Sequence, residues 1–356
     1  MGIKMKNYCS FQEELTRRNF LAGGLGLAVG AAATSALAAA QRGAGGAARR
    51  IDVHHHMLPQ RHMDAVAAAR ESGRPQPWSP QTSLEEMDKN DIATAIVSLV
   101  QPGVTLGTTE QARALARDCN EYGAKMVKDY PGRFGFFASV PLPDTEGSLK
   151  EIAYSLDTLK ADGINLFTSF GDKYLGDKSF WPVYEELNRR GAIVYTHPTQ
   201  PKCCNNMVPG VTVSTIEYAT DTSRTIASVL FSGTASQFPN IRWIWSHGGG
   251  TMPFLIGRYD RLAGERKDPF FPSQPNAERP QLQKFYYELA QANHPGALKA
   301  VTEIIPLDHL LFGTDFPIWR TAESVGGVSS YTGFNDAQRH SVNRGNAERL
   351  FPRFKS

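Results

Sequence analysis

Short apolar runs alternate with segments of helical periodicity from Ile51 to the carboxyl terminus, and this alternation constrains the fold more than any other feature. About eight apolar runs and intervening helical patterns span roughly 300 residues, which is typical of parallel strands joined by helices. The pattern predicts an α/β fold of the (β/α)8 TIM-barrel type, and a doubly wound open sheet is the alternative. The expected strands are RIDVHHH, TAIVSLV, FGFFASVP, INLFTSF, AIVYTHP, IRWIWSHGGG, KFYYELA and HLLFGTDFP.

Two helix boundaries carry local signals. Ser83 is expected to open the helix SLEEMDKNDI, which has acidic residues in its first turn. Gly163 ends the pattern EGSLKEIAYSLDTLKADG and is expected to cap that helix at its C-terminus. The body of the chain contains neither a G-x-G-x-x-G motif nor a P-loop.

Side chains that can bind a metal follow four of the expected strands. His54 and His56 follow IDV, His197 follows AIVYT, His247 follows IRWIWS and Asp315 follows HLLFGT. In a barrel, the carboxyl ends of all strands meet at one mouth, where barrel enzymes place their chemistry. We therefore expect these five side chains to converge.

The triplet HHH at 54–56 divides into two unequal parts. A solvated polar turn is the simplest interpretation, but residues i and i+2 of a strand share a face, so His54 and His56 can bind one ion. His55 must point to the opposite side. Together with His197 and Asp315, the pair forms a nitrogen and oxygen shell suited to zinc, manganese or iron.

His247 is expected to act as a general acid or base beside the ion rather than as a ligand. Three glycines follow it and allow a close approach of the backbone. The remaining histidines lie in helical or pre-strand contexts and are interpreted as structural or exposed. They are His62, His294, His309 and His340.

The N-terminal segment predicts export. TRRNFLA precedes the Gly/Ala-rich run GGLGLAVGAAATSALAAA, which is the pattern of a twin-arginine signal peptide over residues 1–40, cleaved near Ala38 or Ala40. A transmembrane anchor is the alternative, although the run is weakly hydrophobic for a stable span. A linker at 41–49 and a TIM-barrel domain at 50–356 would follow, in the periplasm.

The composition gives little reason to expect a macromolecular partner. The chain has 41% hydrophobic and 21% charged residues and a formal net charge of +3, which is an ordinary globular balance. We expect no nucleic acid partner, and no membrane partner once the signal is cleaved. Four cysteines, two of them adjacent, indicate neither a disulfide framework nor a metal site.

The motifs IDVHHHMLP, VYTHP, IWSHGGGTMPF and LLFGTDFP, in this order, resemble the amidohydrolase-related superfamily over residues 50–353. The similarity is greatest to its branch of aminocarboxymuconate-semialdehyde and hydroxybenzoate decarboxylases. The blocks CNEYGAKMVKDYPGRFGFFASVPLPD and DGINLFTSFGDKYLGDKSFWPVYEELNRRGAIVYTHP are similar to 6-methylsalicylate decarboxylases in particular. Homodimers are usual in this family, so a homodimer is expected.

The resemblance also implies roles for individual residues. The implied metal ligands are His54, His56, His197 and Asp315. His247 would stay close to the metal-bound water or the substrate. Relatives with two metals carry a bridging lysine at a strand end, where this chain has only Phe167, Thr168 and Ser169. This departure favours one divalent ion, with Zn2+ as the first choice and Mn2+ as the alternative.

The implied activity is non-oxidative decarboxylation of a small ortho-hydroxy aromatic acid such as 6-methylsalicylate. Asp315 would supply the proton, with His247 assisting. Phe167 and Trp319 lie just past strand ends and are interpreted as walls of an aromatic substrate pocket, with plain packing as the alternative. A hydrolase of a lactone or amide would use the same ligands, and a periplasmic metal- or ligand-binding protein is the non-enzymatic alternative.

Overall fold

A computed structural model describes residues 50–69, 77–204, 207–265 and 279–355. The expected signal peptide (1–40) and linker (41–49) lie outside the described residues and stay predictions. No helix within the described ranges is both long enough and apolar enough to cross a membrane.

Eight parallel strands form one sheet in which sequence neighbours pair in order. The strands are β1 Arg50–Met57, β2 Ile92–Leu99, β3 Phe134–Ser139, β4 Gly163–Phe167, β5 Ile193–His197, β6 Arg242–Trp245, β7 Tyr286–Glu288 and β8 Leu310–Leu311. The segment after β8 returns to β1, because Val53 N donates to Phe312 O at 3.0 Å and Asp315 N donates to His54 O at 2.7 Å. The sheet is thus a nearly closed barrel, which confirms the TIM-barrel prediction over the open sheet.

Helices alternate with the strands and cover the outside of the barrel. They are α1 Gln60–Ala68, α2 Pro80–Lys89, α3 Thr109–Asp129, α4 Thr145–Ala153, α5 Trp181–Arg189, α6 Val213–Phe231, α7 Thr234–Gln237, α8 Met252–Glu265, α9 Arg279–Leu282, α10 Pro295–Thr302, α11 Thr321–Ser330, α12 Asp336–His340 and α13 Asn346–Leu350. A two-stranded antiparallel hairpin, Ser169–Phe170 with Lys173–Tyr174, follows β4.

The interior of the barrel is a separate apolar cluster supplied by alternate strand residues. Its strand members are Ile51, Val53, Ile96, Phe137, Ile193, Tyr195, Ile244 and Leu311. Phe351 and Phe354 from the C-terminus belong to the same cluster, and Phe354 lies against Gly135 at the start of β3. The C-terminal residues therefore close the amino end of the barrel, and the carboxyl ends of the strands remain for the site.

Ser83 does not cap a helix, contrary to the sequence prediction. The cap of α2 is Ser79, whose side chain accepts a hydrogen bond from Thr82 N at 3.2 Å. Pro80 occupies the first helical turn, where its missing N–H costs no hydrogen bond. Ser83 lies one turn further and is fully buried, with its hydroxyl 2.9 Å from Nε2 of His55.

Gly163 is not a helix cap either. The helix ends at Ala153, a single π-helical turn continues to Thr158, and Gly163 is the first residue of β4. A Cβ atom at Gly163 would lie 2.6 Å from Ile193 O. The absence of a side chain at Gly163 therefore allows β4 to lie close to β5.

Cys203 and Cys204 are joined by a disulfide. A bond between neighbouring residues closes no loop, so it adds little to the chain-entropy term by which disulfides stabilise folds. Cys119 is buried and unpaired.

Candidate metal and active site

The four predicted ligands lie together and buried at the carboxyl end of the barrel, within one group whose ligand atoms are all within 4.8 Å of one another. Nε2 of His54 lies 3.1 Å from Nε2 of His56 and 3.2 Å from Oδ1 of Asp315. Nε2 of His56 is 2.9 Å from the same carboxylate oxygen. The ring of His197 completes the group, with its centre 4.8 Å from that of His56.

The Nδ1 atoms of the three imidazoles face outward to acceptors. Nδ1 of His54 is 2.8 Å from Oε1 of Glu288, and Nδ1 of His197 is 2.8 Å from Pro198 O. Nδ1 of His56 is 3.4 Å from Ser98 O. Carbonyl and carboxylate oxygens only accept, so each Nδ1 donates. The Nε2 lone pairs are therefore left for the centre of the site, as in histidines that bind metals.

The charges of the site favour a cation. Burial opposes a proton on His54, but the carboxylates of Glu288 and Asp315 outweigh it and raise the pKa of His54 to about 10. Burial lowers the pKa of His56 and lowers that of His197 further. The neutral imidazoles of His56 and His197, together with His54, which exchanges its proton for the metal, and the carboxylate of Asp315 form a good donor set for a divalent ion.

The donor spacing also fits a metal. The separations of 2.9–3.2 Å among the atoms of His54, His56 and Asp315 are close to the roughly 3.3 Å between ligands of a tetrahedral ion. The two Nε2 atoms, 3.1 Å apart, need a positive charge between them, which a proton on His54 or a metal ion can supply. The strand β4 ends at Phe167 and offers no lysine to bridge a second ion. The site therefore fits one divalent metal ion.

His55 lies on the opposite face of β1, as the alternation predicts. Its Nδ1 is 3.0 Å from Oδ2 of Asp52 and its Nε2 is 2.9 Å from the hydroxyl of Ser83. Asp52 also accepts from the backbone N–H of Thr314 at 3.0 Å. The aspartate of the motif thus ties β1 to the segment that carries Asp315 instead of binding at the centre of the site.

His247 lies beside the second oxygen of Asp315, with Nε2 3.6 Å from Oδ2. The amide nitrogen of Gln291 donates to the same oxygen. His247, Gln291 and Asp315 all have positive φ, at 55°, 56° and 62°. Left-handed backbone at non-glycine residues is uncommon and concentrates at functional sites. Here the left-handed backbone occurs just after strand ends, where these three side chains turn toward the site.

Glu288 was not predicted from the sequence. Besides contacting His54, its Oε1 accepts from the backbone N–H of His247 at 2.6 Å, and its Oε2 accepts from Ala290 N at 2.7 Å. The residue is fully buried at the end of β7. The signal that could have revealed it is an acidic residue in the otherwise apolar run KFYYELA. A buried carboxylate needs such partners, so Glu288 fixes both His54 and His247.

A cavity of about 490 Å³ opens beside His197, His247 and Asp315. This is the size of a small-molecule site. Much of its wall is apolar and includes Leu58, Met63, Val66, Val100 and Ile318.

The two predicted substrate-binding aromatic residues are not among those that line this cavity. Phe167 is buried with its ring 6.0 Å from that of His197, and it packs against Gly103. Trp319 is 41% exposed, and its neighbour Ile318 lines the cavity instead. The role of Phe167 and Trp319 in substrate binding stays a prediction.

Comparison with known proteins places the chain in a family. The amidohydrolase family model matches residues 51–353. The chain is 36% identical to decarboxylase macB of Penicillium terrestre, over 86% of this chain and 96% of that protein. It is 35% identical to a 6-methylsalicylic acid decarboxylase of Penicillium expansum, over 86% of this chain and 97% of that protein.

A solved structure shares the fold. A dihydroxybenzoic acid decarboxylase of Polaromonas, with bound manganese and the inhibitor 2-nitroresorcinol, superposes with a TM-score of 0.72 at 21% identity. The match covers 86% of this chain and 98% of that one. The family resemblance expected from the motifs is confirmed. The chain belongs to the amidohydrolase family.

Proposed function

We propose that the protein is a metal-dependent, non-oxidative decarboxylase of a small ortho-hydroxy aromatic acid such as 6-methylsalicylate. The observation that carries this proposal is the convergence of His54, His56, His197 and Asp315 beside a cavity of small-molecule size. The chain is similar to fungal decarboxylases, and one of these is a 6-methylsalicylic acid decarboxylase. This similarity supports the proposed substrate class.

The reaction exchanges a carboxyl group for a proton. Protonation of the ring carbon that bears the carboxylate interrupts aromaticity and makes the ring an electron sink. The bond to the carboxylate carbon then breaks, its electron pair returns to the ring, and carbon dioxide leaves. A divalent ion held by the four ligands would supply positive charge that stabilises the anionic oxygens of the substrate.

Asp315 and His247 are placed to handle the proton, because Oδ2 and Nε2 lie 3.6 Å apart. Burial favours the neutral acid, but the neighbouring histidines, His54 first, hold the pKa of Asp315 well below its usual range. Asp315 is therefore ionised at neutral pH, and it must receive a proton from His247 before it can pass it to the ring carbon. We assign the final transfer to Asp315 and the assisting role to His247.

The test is an assay of metal-loaded protein with a panel of hydroxybenzoates and lactones, following carbon dioxide and ring products together. We expect carbon dioxide from at least one ortho-hydroxy acid and none from its para-hydroxy isomer. If the protein opens a lactone ring and releases no carbon dioxide from any hydroxy acid, it is a hydrolase and the proposed decarboxylase activity is wrong.

We propose Zn2+ as the native ion, with Mn2+ as the alternative. Three imidazole nitrogens and one carboxylate oxygen suit zinc, and the manganese of the Polaromonas structure supports the alternative. Mass spectrometry of protein purified without added metal should give about one zinc per chain. A preparation in which manganese predominates would make Mn2+ the native ion instead of Zn2+.

We propose that the chain is exported to the periplasm by the twin-arginine route, on the basis of TRRNFLA and the Gly/Ala-rich run that follows. Replacing Arg17 and Arg18 by lysine should retain the protein in the cytoplasm. Cell fractionation of this variant beside the unaltered chain provides the measurement, and equal export of both would contradict the proposal.

We propose a homodimer formed through α6 and α8, which pack against each other. Phe254 on α8 is 90% exposed, and Leu262 on α8 and Ile216 on α6 are 43% and 44% exposed. Exposed apolar side chains on helices that pack together commonly mark protein interfaces. Light scattering should give twice the chain mass, and Phe254→Asp should shift it toward the monomer. A monomeric wild type would exclude the dimer.

A further inference from the structure

The cavity must accept an anion, yet none of its lining residues is a lysine or arginine. This holds for the described part of the chain. If the substrate is a carboxylate, as the proposed function requires, oxygens directed away from the metal need a neutral hydrogen-bond donor. Gln101 and Tyr218 line the wall of the cavity and carry polar groups able to act there.

The orientation of the Gln101 side chain is fixed by its neighbours. Its Oε1 accepts from the backbone N–H of Gln200 at 3.0 Å. An amide turned the other way would place two N–H donors against each other. Nε2 of Gln101 must therefore face the hydroxyl of Tyr218, to which it donates.

This orientation decides the role of Tyr218. Its oxygen accepts from Gln101, so its own hydrogen cannot bond back to the same amide nitrogen. No described residue accepts that hydrogen in a hydrogen bond. Burial and then the charge of Asp315 raise the pKa of Tyr218 to about 12, so the phenol keeps its proton at neutral pH. Tyr218 is a protonated donor in a cavity that binds an anion.

Three other polar side chains of the wall already take part in hydrogen bonds. The amide nitrogen of Gln291 donates to Asp315, and the hydroxyls of Ser214 and Thr215 lie 3.1 Å and 2.8 Å from that of Thr212. The single hydroxyl hydrogen of Tyr218 has no such partner among the described residues and is free for a ligand.

We propose that Tyr218 donates a hydrogen bond to a carboxylate oxygen of the substrate and that Gln101 is the positioning residue that directs this hydrogen. The inference rests on the proposed decarboxylase function. A neutral donor suits the reaction because decarboxylation removes the carboxylate charge. A cation at this place would stabilise the ground state more than the transition state and slow the loss of carbon dioxide.

The first test measures binding without turnover. The ligands are 2-hydroxybenzenesulfonate, an anion that cannot lose carbon dioxide, and phenol, which lacks the anionic group. In metal-loaded Tyr218→Phe, calorimetry should show sulfonate binding weakened roughly 10- to 100-fold, the loss expected for a hydrogen bond to a charged group. Phenol binding should change less than about twofold, because phenol has no oxygen at this place.

A structural role for Tyr218 would give a different result. In that case Tyr218→Phe would weaken the binding of the sulfonate and of phenol equally, or it would reduce the metal content. The metal content is measured on the same samples. Equal losses, an unchanged sulfonate affinity, or a wild type that does not bind the sulfonate would each overturn the proposal.

The second test uses the direction of the Gln101 hydrogen bond. In Gln101→Glu the carboxylate can still accept from Gln200 N–H, but it also accepts the hydrogen of Tyr218 and withdraws it from the substrate. Gln101→Glu should therefore weaken sulfonate binding in the wild type and much less in the Tyr218→Phe background. An equal loss in both backgrounds would mean that the new charge repels the ligand, and Gln101 would have no positioning role.

The two proposals fail separately. If the wild type releases no carbon dioxide from any hydroxy acid but Tyr218→Phe still weakens sulfonate binding selectively, the proposed function fails and the assignment of Tyr218 stands. If the wild type is a decarboxylase and the variant binds the sulfonate normally, only the assignment of Tyr218 fails.

Discussion

At the scale of single residues, His54, His55 and His56 are chemically identical and differ only in the face of β1 on which they lie. His56→Ala should lose the metal, because it removes one of four ligands. His55→Ala should keep close to the wild-type metal content and lose about 1–3 kcal/mol of unfolding free energy, since Asp52 and Ser83 lose a buried partner. Metal analysis and urea unfolding provide the two measurements. Loss of metal from His55→Ala would contradict the assignment of faces.

Glu288 provides a second prediction at this scale. Both of its oxygens accept hydrogen bonds, so Glu288→Gln places an N–H group against a donor. The metal affinity should fall roughly 10- to 100-fold, as is typical when the hydrogen-bond partner of a ligand is changed. Competition with a chelator measures it. Glu303→Gln, on an exposed carboxylate after α10, is the matched control and should change nothing. If both variants bind the metal with equal affinity, Glu288 does not contribute to metal binding.

The sequence was sufficient to nominate the ligands but not the residues around them. Strand alternation and position at strand ends brought forward His54, His56, His197 and Asp315, which the structure places together, because both are local properties. The contact between Glu288 and His54 joins β7 to β1 across more than 200 positions, and the bond from Gln101 to Tyr218 depends on loop paths. Such pairings follow from the closed barrel and have no local signal.

At the scale of elements, Gly163 tests the packing of β4 against β5. An added Cβ would lie 2.6 Å from Ile193 O, so the strands must separate. Gly163→Ala should cost about 1–3 kcal/mol in unfolding free energy. Gly257→Ala is the control, since its Cβ meets nothing within 4 Å in α8, and it should be neutral or stabilise by about 0.4–1 kcal/mol. Denaturant unfolding measures both, and a Gly163→Ala variant as stable as wild type would contradict the packing account.

Element boundaries were less predictable than element types. All eight expected strands are present, because apolar β-branched and aromatic runs are strong signals. The first helix boundary was misplaced because Ser79 and Ser83 are both good caps by sequence, and only the burial of Ser83 against His55 decides between them. Gly163 was misassigned because a glycine that permits close strand packing has the same local signal as a C-cap.

At the scale of the whole molecule, the candidate metal site lies at one end of a barrel whose apolar interior is separate from it. The interior cluster includes none of the four ligands. Removing the metal with a chelator should therefore abolish activity, leave the far-ultraviolet circular dichroism unchanged and lower the melting temperature, because the ion binds only the folded state. Adding Zn2+ should restore activity. Loss of secondary structure on chelation would show that the ion is needed for folding.

We propose that this barrel decarboxylates an ortho-hydroxy aromatic acid with one metal ion. The most direct measurement is the reaction of zinc-loaded protein with 6-methylsalicylate labelled with carbon-13 in the carboxyl group. Labelled carbon dioxide and 3-methylphenol should form in equal amounts, and neither should be formed by metal-free protein or by His197→Ala. Unchanged 6-methylsalicylate, or full activity of His197→Ala, would contradict the proposal.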